Sequence, residues 1–142
     1  MIRAMTVEDL PQIMPIEDAS FLDPWTKEMF LSSLEIPLVR GFVCEKETEV
    51  VGYLLGSVIF EEAEVYNVAV SPDYRKRGIG ERLLETFEKS AKGDGATTCF
   101  LEVRVGNLPA RTLYEKKGYA QIAVRKKYYA DGEDALVMQK TL

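Results

Sequence analysis

The sequence predicts a mixed α/β fold in which a largely antiparallel sheet is covered by about four helices. Three observations carry that expectation. Short apolar segments are bounded by polar turns, as in half-buried strands. Other stretches repeat their apolar residues at helical spacing. One such helix lies between two strand segments, which is the connection a parallel strand pair needs. The 142 residues contain no repeat, low-complexity tract or linker, so residues 1–142 read as a single domain with enough chain to bury a core.

The elements follow in order. Ile2 to Met5 is a short strand candidate. Thr6 then offers an N-cap, with Glu8 and Asp9 in a first turn where negative charge suits the helix dipole. Leu10, Ile13, Met14 and Glu17 continue that helix towards Phe21. Leu22-Asp-Pro-Trp25 breaks it, because proline disfavours helical geometry in the residue before it. Thr26 caps a second short helix through Met29, Phe30 and Leu34. From Val39 the texture turns to strands: 42–44 and 50–60 around a polar turn at 45–49, then 65–70 after a turn at 61–64. Apolar residues at 79, 83, 84, 87 and 91 mark one helix face. A strand at 97–103 follows, then a helix at 107–117 closed by Gly118. Residues 119–130 and 135–139 form a last antiparallel pair around Asp131-Gly132. The order is βααβββαβαββ, with the crossover running from Val65 to Val103.

Composition narrows the chemistry. Lys and Arg total 18 against 23 Asp and Glu, a net charge of −5, which disfavours nucleic acid as the main partner. Histidine is absent, which excludes Ser-His-Asp and Cys-His nucleophiles, His-ligated zinc and a histidine pH switch. Proton transfers then fall to carboxylates, phenols, amines or thiols. Cys44 and Cys99 show neither a disulfide framework nor metal-knuckle spacing and read as reduced, buried thiols. No metal is expected. The first residues carry no signal-peptide run, and no apolar stretch approaches the roughly 20 residues of a membrane span, so the expectation is a soluble cytoplasmic protein with no membrane partner.

The most informative stretch is Val68-Ala-Val-Ser-Pro-Asp-Tyr-Arg-Lys-Arg-Gly-Ile-Gly80. A strand runs into a loop with Arg75, Lys76, Arg77, Gly78 and Gly80, and a helix begins there. Glycines admit a ligand close to the backbone, and helix N-terminal amides with three cations suit a pyrophosphate. No Gly-Lys-Ser/Thr run of a Walker loop exists, and position 83 is Leu where a dinucleotide fingerprint wants Gly. The pattern Arg75-x-x-Gly78-x-Gly80 instead resembles the acetyl-CoA loop of the Gcn5-related N-acetyltransferases, whose element order the chain also resembles over almost its whole length. The resemblance implies splayed central strands, with Val68, Ala69 and Val70 meeting the pantetheine arm of acetyl-CoA through their main chain. It implies that Lys76 to Glu81, Ile79 included, wrap the pyrophosphate. It also implies that Asn107, itself a good N-cap, contacts the cofactor arm.

Attack of an amine on a thioester needs a neutral amine and a proton for the leaving thiolate. Without histidine, a carboxylate is the natural base and a tyrosine the natural acid. Leu101-Glu-Val-Arg104, Asn107 and Leu113-Tyr-Glu-Lys-Lys-Gly-Tyr119 resemble the RimI-type N-terminal acetyltransferases. That resemblance implies Glu102 as base, acting directly or through a water, and Tyr114 as acid. Phe21-Leu-Asp-Pro-Trp25-Thr26 is similar to that group's Phe-Pro-Trp-Ser/Thr segment, with Leu22 and Asp23 intervening. Arg125-Lys-Lys-Tyr-Tyr129 with Gly132-Glu-Asp-Ala135 is similar to its C-terminal hairpin. Trp25, Tyr128 and Tyr129 are therefore candidate substrate contacts. The implied reaction is acetyl transfer to a protein's N-terminal α-amine, the N-terminal alanine of a small-subunit ribosomal protein first among the choices. Other N-termini, lysines, small amines, or a non-catalytic CoA-binding module stay open.

Overall fold

Seven strands and four helices form in the expected order in the computed structural model, which describes residues 1–142. They are β1 (Ile2–Ala4), α1 (Leu10–Ser20), α2 (Lys27–Leu34), β2 (Val39–Lys46), β3 (Glu49–Ile59) and β4 (Glu62–Val70). Then come α3 (Ile79–Gly93), β5 (Thr98–Arg104), α4 (Leu108–Lys116), β6 (Ala120–Arg125) and β7 (Ala135–Thr141). All strands join one sheet in the order β1-β2-β3-β4-β5-β7-β6, antiparallel except for the β4–β5 pair. No helix is long and apolar enough to cross a membrane.

Local chemistry starts the helices as the caps predict. Thr6 and Asp9 bond reciprocally, the Thr6 N–H donating to the Asp9 carboxylate at 2.8 Å, and a 3₁₀ turn at Val7–Asp9 leads into α1. Thr26 Oγ1 accepts from the Met29 N–H at 3.2 Å, and Asn107 Oδ1 from the Ala110 N–H at 3.3 Å.

The turns are tighter than the polar runs suggest. Glu47 and Thr48 take φ of 52° and 70°, so two left-handed residues reverse the chain and β2–β3 pairing persists to Lys46 and Glu49. Phe60 and Glu61 make the second turn, and β4 starts at Glu62 rather than 65. The expected strand over 119–130 ends at Arg125. There Lys127 turns left-handed (φ 51°) and its N–H goes to the Asp134 carboxylate at 2.8 Å, so Tyr128 and Tyr129 sit on a loop.

Helices cover both faces of the sheet. Ile79, Leu83, Leu84, Phe87 and Ala91 of α3 are buried against one face with Leu54, Val65 and Leu101. On the other face, Leu10, Ile13 and Ile16 of α1 and Phe30 of α2 pack on Val43, Tyr53 and Leu55. Two irregularities open the sheet between these layers. Leu55 pairs with Asn67 and Gly56 with Val65, so Tyr66 is an extra residue, a bulge that bends β4. Gly56 is required there, since a Cβ would lie 2.4 Å from the Glu64 carbonyl oxygen. Pairing between β4 and β5 then stops at Val65–Leu101, and the strand ends beyond splay apart.

Candidate active site

The splay leaves two hollows of about 560 Å³ each, which share Phe21, Val68, Asn107, Ala110 and Tyr114 along their boundary. The first is walled by Val68, Ala69 and Val70 of β4 and by the loop into α3. Gly78 takes φ 77° as the N-cap, and the first intrahelical bond is Arg82 N–H to Gly78 O at 3.1 Å. The amides of Ile79, Gly80 and Glu81 precede that bond, so they lack intrahelical acceptors at the positive end of the helix dipole. Nothing lies within 4 Å of the place a Gly78 Cβ would occupy, and the groove is open there.

The three loop cations do not act alike. Lys76 and Arg75 line the groove. Arg75 also pins the loop, its Nε donating to Val70 O at 3.0 Å and its Nη2 to Ser20 Oγ at 3.2 Å. Arg77 departs from the expected cation trio: it lies 5.0 Å over the Tyr74 ring and is not part of the groove wall. Glu81 lines the groove and pairs with Lys116 at 2.6 Å, which holds its carboxyl below the usual range. Asn107 caps α4 and lines both hollows.

The second hollow brings Trp25, Glu102, Tyr114, Tyr128 and Tyr129 together from four separate segments. Glu102 Oε1 lies 3.3 Å from Arg125 Nε, while Oε2 is buried without a hydrogen-bond partner. Tyr114 is 7% exposed, packs edge-on to Tyr119 at 5.9 Å, and burial pushes its phenol well above the ordinary value. The Glu102 charge raises Tyr128, and burial pushes Tyr129 up to about 12. Tyr128 and Tyr129 stack edge to face at 5.1 Å. Trp25 lines the hollow while packing on Phe30 at 5.3 Å and Tyr66 at 6.0 Å.

Several residues of this hollow are not singled out by the sequence motifs. Glu17 is 1% exposed and accepts from the Trp25 N–H at 2.9 Å, from Asn67 Nδ2 at 3.0 and 3.1 Å, and from the Tyr53 hydroxyl. Burial raises its carboxyl above the ordinary value against those donors. Its trace in the sequence is a glutamate on the apolar stripe of α1, where a solvated charge does not belong. Glu64 also lines the hollow, raised first by burial and then by the Glu102 charge.

The chain matches the Acetyltransferase (GNAT) family over residues 10–119. A Bacillus subtilis (strain 168) relative is 39% identical over 143 residues, covering 99% of this chain and 95% of its own, and carries the provisional name ribosomal protein bS18-alanine N-acetyltransferase. An N-alpha-acetyltransferase of Saccharolobus solfataricus is 34% identical over 154 residues, covering 99% and 92%. The crystal structure of the ribosomal-protein-S18-alanine N-acetyltransferase from Escherichia coli superposes with a TM-score of 0.91 at 32% identity, covering 99% of this chain and 92% of the other. The chain belongs to the GNAT acetyltransferase family and is an N-acetyltransferase.

Proposed function

We propose that the protein acetylates the α-amine at the N-terminus of a protein, with acetyl-CoA as donor and the N-terminal alanine of a small-subunit ribosomal protein as substrate in the cytoplasm. The observation that carries this reading is the pair of joined hollows, with Tyr114 on their boundary and an unpartnered oxygen of Glu102 in the second. The groove fits a CoA pyrophosphate: its anion-binding groups are the free amides at the start of α3, Gly78 leaves room for close approach, and Lys76 adds charge. Val68 to Val70, unpaired with β5, offer main-chain groups to the cofactor arm. Acetyl-CoA would supply the activated acetyl group.

The residues of the chain would do the rest. A substrate ammonium must give up a proton, and Glu102 Oε2 is the free acceptor, used directly or through a water. An α-amine, with an ordinary pKa of roughly 7.7–8.0, needs far less help than a lysine amine near roughly 10.4. Tyr114, which lines both hollows and is held protonated by burial, would give a proton to the departing thiolate. Trp25, Tyr128 and Tyr129 wall the space for the first residues of the peptide. The relatives named for bS18 alanine support this substrate class.

Steady-state assays with acetyl-CoA and peptides beginning Ala, Ser or Met, beside an N-blocked lysine peptide, test the proposal. The alanine peptide is expected to turn over with the highest kcat/KM. Equal turnover of the blocked lysine peptide would overturn the α-amine assignment.

A further inference from the structure

Arg104 ends β5 two residues beyond Glu102, and its side chain keeps only 14% of its surface. Its Nη2 donates to Asp23 at 3.1 Å, in the loop between Phe21 and Trp25. Its Nη1 donates to Asp131 at 2.9 Å and to Glu133 at 2.9 Å, just after Tyr128 and Tyr129. The guanidinium also stacks over the Tyr129 ring, 3.9 Å from its centroid. Glu133 carries the connection further, its Oε2 accepting the Gly106 N–H at 2.8 Å in the turn that leads to Asn107. A Cβ on Gly106 would fall 2.7 Å from that oxygen, so a side chain there would push the Glu133 carboxylate aside.

Three segments that wall the second hollow thus meet on one side chain. The 21–26 and 126–134 loops both line that hollow and come from distant parts of the chain. An isolated surface ion pair would contribute little. Here one mostly buried guanidinium serves three carboxylates and a ring at once, which its planar fork can do and an ammonium cannot.

We propose that Arg104 is a positioning residue that clasps these two loops and fixes the spacing at which Trp25 and Tyr129 face a bound peptide. This rests on the peptide reading of that hollow. It assigns Arg104 no proton transfer and no contact with the cofactor groove.

The test has an arm without substrate and an arm with it, both on the full chain. In hydrogen exchange, Arg104→Gln is expected to speed exchange in 21–26 and 126–134 together, leaving the start of α3 unchanged. Asp23→Asn, at a more exposed position, is expected to loosen 21–26 alone. In kinetics with the alanine peptide, Arg104→Gln should raise peptide KM about tenfold or more, keep the acetyl-CoA KM within about twofold, and be rescued only in part by Arg104→Lys. Unchanged exchange in both loops, or exchange that rises evenly across the chain, would overturn the clasp. So would equal rises in both KM values. If the wild type turns over no peptide, the α-amine reading fails while the exchange arm still decides the clasp.

Discussion

The two hollows are built on different principles. The groove on the α3 side takes its anion-binding part from main chain within residues 68–81, a strand end, a left-handed glycine and the first turn of one helix, with Ser20, Phe21 and residues of α4 closing the wall. The hollow beside it is made of side chains. Glu17, Glu64, Glu102 and Tyr129 reach it from separate elements and Asp23 and Trp25 from one loop, and polar contacts cross large sequence separations, 50 residues for Glu17–Asn67 and 81 for Asp23–Arg104. A backbone cradle suits a ligand whose charged part is constant. A side-chain hollow can be altered residue by residue, which is what selection among peptide N-termini requires.

The sharpest way to separate the two is Glu102→Gln. The amide keeps the shape and removes the basic oxygen. If the hollows act independently, kcat on an alanine peptide falls by about 10²–10⁴-fold. Acetyl-CoA affinity, read by titration calorimetry, should stay within about twofold, because Glu102 lines only the second hollow. A comparable loss of acetyl-CoA binding would break the division.

This division also explains what could be read in advance. The α3-side groove was legible because a contiguous run encodes it: an apolar strand, then Gly78 and Gly80 at a helix start. Caps at Thr6, Thr26 and Asn107 were legible for the same local reason. Turn lengths were not, since Glu47, Thr48 and Phe60 take left-handed backbone that no residue preference announces. Nor was the end of β6, which depends on the Lys127 N–H finding Asp134. In the second hollow, Glu102 and Tyr114 came from resemblance to a motif. Glu17 and the carboxylates around Arg104 did not, because their meaning arises only when the chain folds them together. Arg77 is a further case: the sequence shows the cation but not that its side chain turns onto Tyr74.

Glu17→Gln tests the floor of the side-chain hollow and should have an intermediate effect. An amide has one acceptor oxygen, so either the Trp25 N–H or Asn67 would face a donor, a loss of about 1–3 kcal/mol. Peptide KM should rise by roughly tenfold if that loss falls on the Trp25 loop, with acetyl-CoA KM unchanged. The pH dependence has a definite sign. Burial, helped by the Asp18 charge, raises Glu17 above its ordinary 4.5, so the folded state holds the proton longer than the unfolded state. The contribution of Glu17 to stability therefore falls as pH rises from 4.5 through the raised value. Thermal unfolding should show the wild type losing ground to Glu17→Gln across that window, and a difference constant with pH would refute the assignment.

Arg77→Ala should have the smallest effect, and its smallness is informative. If the α3-side groove is a backbone cradle, a cation stacked outside it on Tyr74 contributes only a screened field, at a Debye length of about 8 Å near 0.15 M salt. The acetyl-CoA dissociation constant should then change by no more than about fivefold, even if the whole of an exposed cation–π contact, about 0.5–1 kcal/mol, were lost from the loop. Lys76→Ala removes a cation that does line the groove, at a position already left-handed with φ 64°, so the backbone meets a similar demand in either residue. Its larger effect should shrink at high salt, as a charge contact does and an amide contact does less. Titration of both variants at low and high salt separates these terms. If Arg77→Ala weakened binding more than Lys76→Ala, Arg77 would have to swing off Tyr74 to meet the cofactor, and the groove would depend on side chains as its neighbour does.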